Sequence, residues 1–409
     1  MFTSRSKRNV RDLAILGGKA AFKQQLYVGR PNIGNRERLL DRINDILDRR
    51  WLTNQGPFVC EFETRISEIL GVKHCIATCN ATIGLAIAIR ALGMTGEVII
   101  PSFTFVATAH ALQWQQVSPV FGDIDERSHN LDPRRVESLI TPRTTGILAT
   151  HLWGRPCAID ELTQIASRHG LKLAFDAAHA FGSSYQGKMI GNFGLAEVFS
   201  FHATKFLNTF EGGAIVTNDD DLAEKIRLMT NYGFAGYDRV IHLGINGKMS
   251  EIAAAMGLTG LESMAEFIVI NRDHYKRYLR ALKDIPGIEM IRYDEDERNN
   301  YQYIVLEIDE TKTHISRDLI TSALHAENVL ARRYFYPGCH RMEPYRSYSP
   351  HAELLLSATE QLSERVLSLP TGTTVDANDI DLICDLIRFL VAQGAVISEQ
   401  VSASTADHP

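Results

Sequence analysis

LAFDAAHAFGSSYQGKMIGNFGLAEVFSFHATKFLNTFEGGAI, residues 173–215, is the stretch whose reading decides the fold. It contains two strand-like apolar runs, each ending in polar residues where a strand would meet a loop. The first run ends in Asp176 and His179, the second in Ser200, His202, Thr204 and Lys205. In an α/β sheet, polar groups gathered at the carboxyl ends of strands mark where ligands bind. An acid, two imidazoles, a hydroxyl and an amine on one rim point to a cofactor that handles carbonyls.

The same texture extends outward on both sides. HCIATC (74–79), EVIIPSF (97–103), SPVFGDID (118–125), GILATHLWG (146–154) and GGAIVTND (212–219) read as further strands. Between them, apolar residues recur at helical spacing, as in RERLLDRINDILDRR (36–50), VCEFETRISEILG (59–71), IGLAIAIRALG (83–93) and AIDELTQIASRHG (158–170). Strands without polar alternation, separated by helices, predict a mainly parallel central sheet covered by helices on both faces. From residue 251 the pattern changes. A long helical stretch (251–285) leads into the strand-like IEMIRY and YQYIVLEID, then into helices over 316–329, 353–367 and 378–393. The expected organisation is an N-terminal arm over 1–27, a large cofactor-binding domain over 28–250, a connecting helix and small α+β domain over 251–395, and a disordered tail over 396–409.

Composition narrows the class. The chain has 409 residues, 45% of them hydrophobic and 22% charged, which suits a soluble globular enzyme of two or three domains. A formal charge of −6 argues against nucleic acid or an anionic membrane as the main partner. The six cysteines are scattered, without the paired spacing of a zinc site, and fit free thiols in a reducing cytoplasm. The basic N-terminus MFTSRSKRNVRD has no apolar run behind it, so it reads as a mobile arm, not a secretory signal.

Lys205 is the centre of the chemistry. A lysine held in a pocket at a strand's end is desolvated, which lowers its pKa and makes it nucleophilic toward carbonyls. Asp176 ends the strand KLAF, where a buried carboxylate must find a partner. The protonated ring nitrogen of pyridoxal phosphate fits that need. His179 is placed to contact the ring or its substituents. Asn80, Ala81 and Thr82 open a helix directly after a strand, and the free N–H groups there, with Ser200, suit a phosphate. Phe105, just past another strand, is placed to cover one face of an aromatic ring.

These residues stand in a pattern that resembles the DegT/DnrJ/EryC1/StrS family of nucleotide-sugar aminotransferases, most of all its dTDP-4-keto-6-deoxyhexose 4-aminotransferases. The resemblance covers roughly residues 28–395. It is carried by GPFVCEFE (56–63), PSFTFVATAHAL (101–112), HLWGRP (151–156), FDAAHAFG (175–182), SFHATKFLNTFEGG (200–213), NYG (231–233) and LGINGKMSEIAAAMG (243–257). It implies the type I fold of pyridoxal-phosphate-dependent transferases. Lys205 would then be the lysine that bonds to the cofactor's aldehyde and Asp176 the partner of its ring nitrogen. His179 would lie on the phenolic-oxygen side and Phe105 on the ring face, with Ala81, Thr82 and Ser200 at the phosphate.

Asn231 would reach the phosphate of a neighbouring subunit's cofactor, across a two-fold homodimer. Trp51, Thr53, His151, Lys248, Arg332 and Tyr334 fall where such enzymes meet sugar or nucleotide. The reaction implied moves the amino group of L-glutamate onto a keto-sugar nucleotide, at C4 of a dTDP-4-keto-6-deoxyhexose, with C3 amination as the rival. Many relatives carry Gln at position 179 and Arg at position 248, and a lysine cannot reproduce a bidentate guanidinium fork.

Three other readings fare less well. A sugar dehydratase of this fold would have His at position 205, and a non-catalytic binding protein would need no amine there. A nicotinamide oxidoreductase would need GxGxxG after the first strand, which CNATIG lacks.

Overall fold

The computed structural model describes residues 7–406. Its centre is a seven-stranded sheet, with strands labelled here β1 (His74–Thr78), β2 (Glu97–Pro101), β3 (Ser118–Gly122), β4 (Thr144–Thr150), β5 (Lys172–Asp176), β6 (Ala196–Ser200) and β7 (Gly213–Thr217). Their order across the sheet is β1-β7-β6-β5-β4-β2-β3. All neighbouring pairs are parallel except those of β7, which runs antiparallel to both β1 and β6.

Alternate side chains of these strands enter cores on opposite faces. Ile99, Ile147, Phe175 and Phe199 join one, and Val98, Ile100, Leu148, Ala174, Val198 and Ile215 join the other. With both faces dry, no strand needs polar alternation, and each fully buried Ile, Leu, Val or Phe contributes about 1.5–3 kcal/mol. Helix starts are locally encoded. Asn80 accepts from Ile83 N at 2.8 Å to cap the helix Ala81–Ala91. The helix Pro57–Leu70 begins after Gly56, which offers no side chain. The buried Glu251 supplies the cap instead, accepting from Phe58 N and Val59 N at 3.0 and 2.8 Å.

The small domain carries a three-stranded antiparallel sheet of β8 (Ile288–Met290), β9 (Ile304–Ile308) and β10 (Val366–Leu369). The sequence pattern places residues 366–367 in a helix. In the structure that helix ends at Ser363, and Val366–Leu369 instead pairs with β9, where all four side chains are buried. The helix expected over 251–285 is two helices, Glu251–Glu262 and Met264–Leu282, bent by 62° at Ser263. Among the described residues no single helix is long and apolar enough to cross a membrane.

Both ends depart from the expected arm and tail. The chain packs from residue 7 onward, with Val10, Leu13, Phe22 and Leu26 in the small-domain core. Glu327 anchors this segment through Lys7 Nζ at 2.9 Å, Ala14 N at 2.8 Å and Ala21 N at 2.7 Å. The expected mobility of residues 1–6 lies outside the described residues. The C-terminal segment is a helix, Gly394–Ala406, because Ile397 is fully buried in the same core and Val401, one turn on, packs against it. Residues 407–409 of the expected tail lie outside the described residues.

Candidate active site

The strand register assembles the site. β5 and β6 are parallel neighbours and the antiparallel β7 begins where β6 ends, so the residues that follow β5 and β6 and those that precede β7 converge on one rim. Asp176 closes β5 and is buried, accepting from Thr108 Oγ1 at 2.7 Å and from Ala178 N at 3.1 Å. Burial pushes its carboxyl up from the ordinary range, against the opposing pull of Thr108, Ala178 and Lys205. It forms no ion pair among the described residues. A carboxylate so placed is short of a cation.

Lys205 follows β6 on a turn closed by its own N–H, which donates to His202 O at 2.8 Å. Its side chain is half-buried, and its Nζ donates to Tyr303 Oη at 3.1 Å. Burial lowers its pKa to about 8, partly offset by the Asp176 charge. A minor but appreciable fraction of the amine is therefore neutral near physiological pH, far more than for an ordinary lysine, and able to attack an aldehyde.

His179 is buried, and burial together with Lys205 holds its pKa well below the usual imidazole value. It is neutral, with Nδ1 accepting from Trp153 N at 3.2 Å. Its ring stacks on Trp153 and Phe335, with centroids 6.1 and 5.9 Å away, and lies 4.5 Å from the Tyr303 ring. Phe105 is 57% exposed at the mouth and leans on Phe335 at 6.4 Å. Tyr334 stacks on Phe335 at 5.1 Å, and Arg332 lies 5.5 Å over the Tyr334 ring. Lys205, His179, Phe105, Tyr334 and Arg332 thus form one connected group.

The residues expected at the phosphate lie around the start of β7. Gly213 pairs with Ser200 on one side and Thr78 on the other, two residues before Asn80. A Cβ on Gly213 would lie 2.7 Å from Ala81 N and 2.9 Å from Ala81 Cα. Only glycine lets β7 approach the start of the helix so closely, and Ser200 is the strand neighbour of that glycine. These helix-terminal donors have no intrahelical acceptors and suit an anion.

Other expected residues lie elsewhere. Trp51, Thr53 and Asn231 are exposed, and Lys248 is half-buried. Lys248 Nζ donates to Asn231 Oδ1 at 2.8 Å and sits 5.0 Å over the Tyr232 ring. Among the described residues no side-chain contact joins this pair to Lys205, but the Lys248 backbone bridges Thr78, next to the Asn80–Thr82 turn. His151 is a correction. It is fully buried, stacked on Phe175 at 4.7 Å, with Nδ1 accepting from Cys157 N and Nε2 3.3 Å from Glu197 Oε2. It offers no surface to a substrate and instead braces the end of β5, its own N–H donating to Asp176 O at 3.0 Å.

Sequence reasoning missed the small domain's contribution. Asn300 Nδ2 donates to His179 O at 2.7 Å, Gln302 Oε1 accepts from Phe206 N at 3.3 Å, and Tyr303 meets Lys205. The polar-aromatic run NNYQY ahead of β9 was the available signal. Thr108, in the helix Ala107–Gln113, was also missed.

Known proteins share this fold and sequence. The model of the DegT/DnrJ/EryC1/StrS aminotransferase family matches residues 34–388. A dTDP-4-amino-4,6-dideoxy-D-glucose transaminase of Shigella dysenteriae is 36% identical over 90% of this chain and 99% of its own. Its Escherichia coli counterpart is 37% identical over 88% and 97%. Among solved structures, that of DesI, analysed in the presence of its TDP-sugar product, superposes with a TM-score of 0.92 at 51% identity, covering 96% of this chain and 99% of that one. The fold is therefore the type I fold of pyridoxal-phosphate-dependent aminotransferases, and the chain belongs to the DegT/DnrJ/EryC1/StrS aminotransferase family.

Proposed function

We propose that the protein transfers the amino group of L-glutamate onto C4 of a dTDP-4-keto-6-deoxyhexose, working in the cytoplasm as a homodimer with shared active sites. The observation that carries the proposal is Lys205, an amine with its pKa near 8 on the rim where Asp176 waits without a cation. The choice of C4 is supported by the names of the relatives, both 4-amino-4,6-dideoxyglucose transaminases, and a TDP-sugar substrate by the 51% identity to DesI, whose structure was analysed with its TDP-sugar product.

The residues fit pyridoxal phosphate. Asp176 would hold the ring nitrogen and its proton, His179 the phenolic-oxygen side and Phe105 an open ring face. Ala81, Thr82 and Ser200 would hold the phosphate. When bound, this cofactor supplies an electron sink that lets an amine-bearing carbon give up its proton. Lys205 anchors the cofactor, then carries that proton away from one carbon and delivers it to another. General acid–base transfer of this kind is worth on the order of 10² to 10⁴ in rate. Asp176, ionised and buried, keeps the ring nitrogen protonated throughout. Buried Trp153, Tyr303 and Phe335 pack around His179 and keep water from its ring, and Tyr303 meets the lysine.

The homodimer is supported by what the single chain leaves open. Asn231, Trp51 and Thr53 are exposed, and apolar Leu40, Leu47, Leu52 and Tyr232 are each about half exposed. We assign Asn231 to the phosphate of the partner's cofactor. Arg332 and Tyr334, and Lys248 with Trp51 and Thr53 from the partner, would meet the sugar nucleotide. Six free cysteines agree with a reducing compartment. The test is to incubate purified protein with glutamate and dTDP-4-keto-6-deoxyglucose and locate the new amine by NMR. Amine at C4 is expected. Amine at C3, or no amino sugar from any keto-sugar nucleotide, overturns the proposal.

A further inference from the structure

Lys205 has to serve in two conditions, bonded to the cofactor and free. When free, a long flexible amine needs something to keep it within reach of the reacting carbons. Among the described residues, the only hydrogen-bonding partner of its Nζ is Tyr303 Oη, at 3.1 Å. The same nitrogen lies 5.8 Å from the centroid of the Tyr303 ring.

Tyr303 is itself fixed from several directions. It is 7% exposed, immediately precedes β9, and its carbonyl accepts from Tyr293 Oη at 3.0 Å. Its ring meets Trp153 edge-on at 5.4 Å, His179 at 4.5 Å and Tyr334 at 6.4 Å. Burial keeps its own phenol well above the usual tyrosine value, so it stays protonated. A neutral phenol can accept a hydrogen from the ammonium and donate one to the free amine. The contact also crosses between domains, since Lys205 belongs to the large one and Tyr303 to the small one.

We propose that Tyr303 is a positioning residue, which holds the unbonded amine of Lys205 against the small domain and so keeps it aimed at the reacting carbons. This rests on the reading of Lys205 as the lysine that bonds the cofactor. The groups facing the amine are Tyr303, the Asp176 carboxylate, which favours its charge, and the neutral His179.

The experiment uses Tyr303→Phe, which keeps the ring contacts and removes only the hydroxyl. Lys205 in cofactor-free wild type and variant is labelled with acetic anhydride from pH 6 to pH 10, and its modification is quantified by peptide mass spectrometry. A charge-assisted bond to the ammonium is lost, so the labelling midpoint should fall by about 0.5–1 pH unit. In the cofactor-loaded enzyme kcat should fall roughly tenfold, with KM within about twofold. An unmoved midpoint, or an unchanged kcat, overturns the role. Borohydride reduction of both loaded proteins separates the two claims. A Lys205–cofactor link in both, with an unmoved midpoint, overturns the Tyr303 role alone; no link in the wild type overturns the reading beneath it.

Discussion

Replacing Asp176 by Asn should make the cofactor-free protein more stable and its cofactor binding weaker. In the native chain the carboxylate is 5% exposed and has two hydrogen-bond donors, Thr108 Oγ1 and Ala178 N, but no ion-pair partner among the described residues. Burial raises its pKa, so this group favours the folded state only when protonated. That contribution is present below the unfolded value of about 3.9 and is lost as pH rises through the folded value. At neutral pH the ionised side chain therefore costs stability. An amide keeps the Ala178 bond and can donate to Thr108, and it removes the charge, which should recover about 1–3 kcal/mol. With cofactor the sign reverses, because a charge-assisted bond to a ring N–H is worth about 1.5–3 kcal/mol, or about 10- to 100-fold in affinity. Thermal melting of cofactor-free protein at pH 7.5 and a fluorescence titration with pyridoxal phosphate measure the two effects. A variant that melts below the wild type, or that binds the cofactor equally well, would refute the reasoning.

Three of the other residues give separate expectations. His179 is buried and neutral with a depressed pKa, so the unfolded chain takes up a proton near pH 6.5 that the folded one refuses. Stability should fall as pH drops below about 6.5, by up to about 1.4 kcal/mol per unit. His179→Gln should flatten that slope in cofactor-free denaturation curves at pH 7.5, 6.5 and 5.5, and an identical slope would count against the assignment. Gly213→Ala puts a methyl against the backbone of Ala81, so cofactor affinity should fall at least tenfold with about 1–3 kcal/mol of stability. Equal affinity would separate this glycine from the phosphate corner. Thr108→Val removes one donor to Asp176, and in an Asp176→Asn background it should have much less effect on cofactor affinity than alone. Additive losses would mean that Thr108 acts elsewhere.

The chemistry was legible where it sits beside strong local patterns. Apolar runs announced β2, β5 and β6, and the polar residues at and just past the ends of β5 and β6 offered Asp176, His179, Ser200 and Lys205 as candidates. The direction of β7 was not readable, because a strand buried on both faces looks alike in either orientation. The segment 366–369 lies at the end of a helical pattern, and only its pairing with β9 makes it a strand. His151 follows β4 in a motif that resembles a binding loop, yet its ring turns inward onto Phe175. Tyr303 and Thr108 act through partners about a hundred and about seventy residues away, which no local window connects.

The proposed chemistry depends on a covalent bond between Lys205 and the aldehyde carbon of pyridoxal phosphate. Reduction of the loaded protein with borohydride, followed by proteolysis and mass spectrometry, measures it directly. One phosphopyridoxyl group is expected on Lys205, together with loss of the visible absorption band in Lys205→Ala. A loaded protein with no adduct on that side chain, or a Lys205→Ala variant with an unaltered spectrum and full activity, would contradict the account.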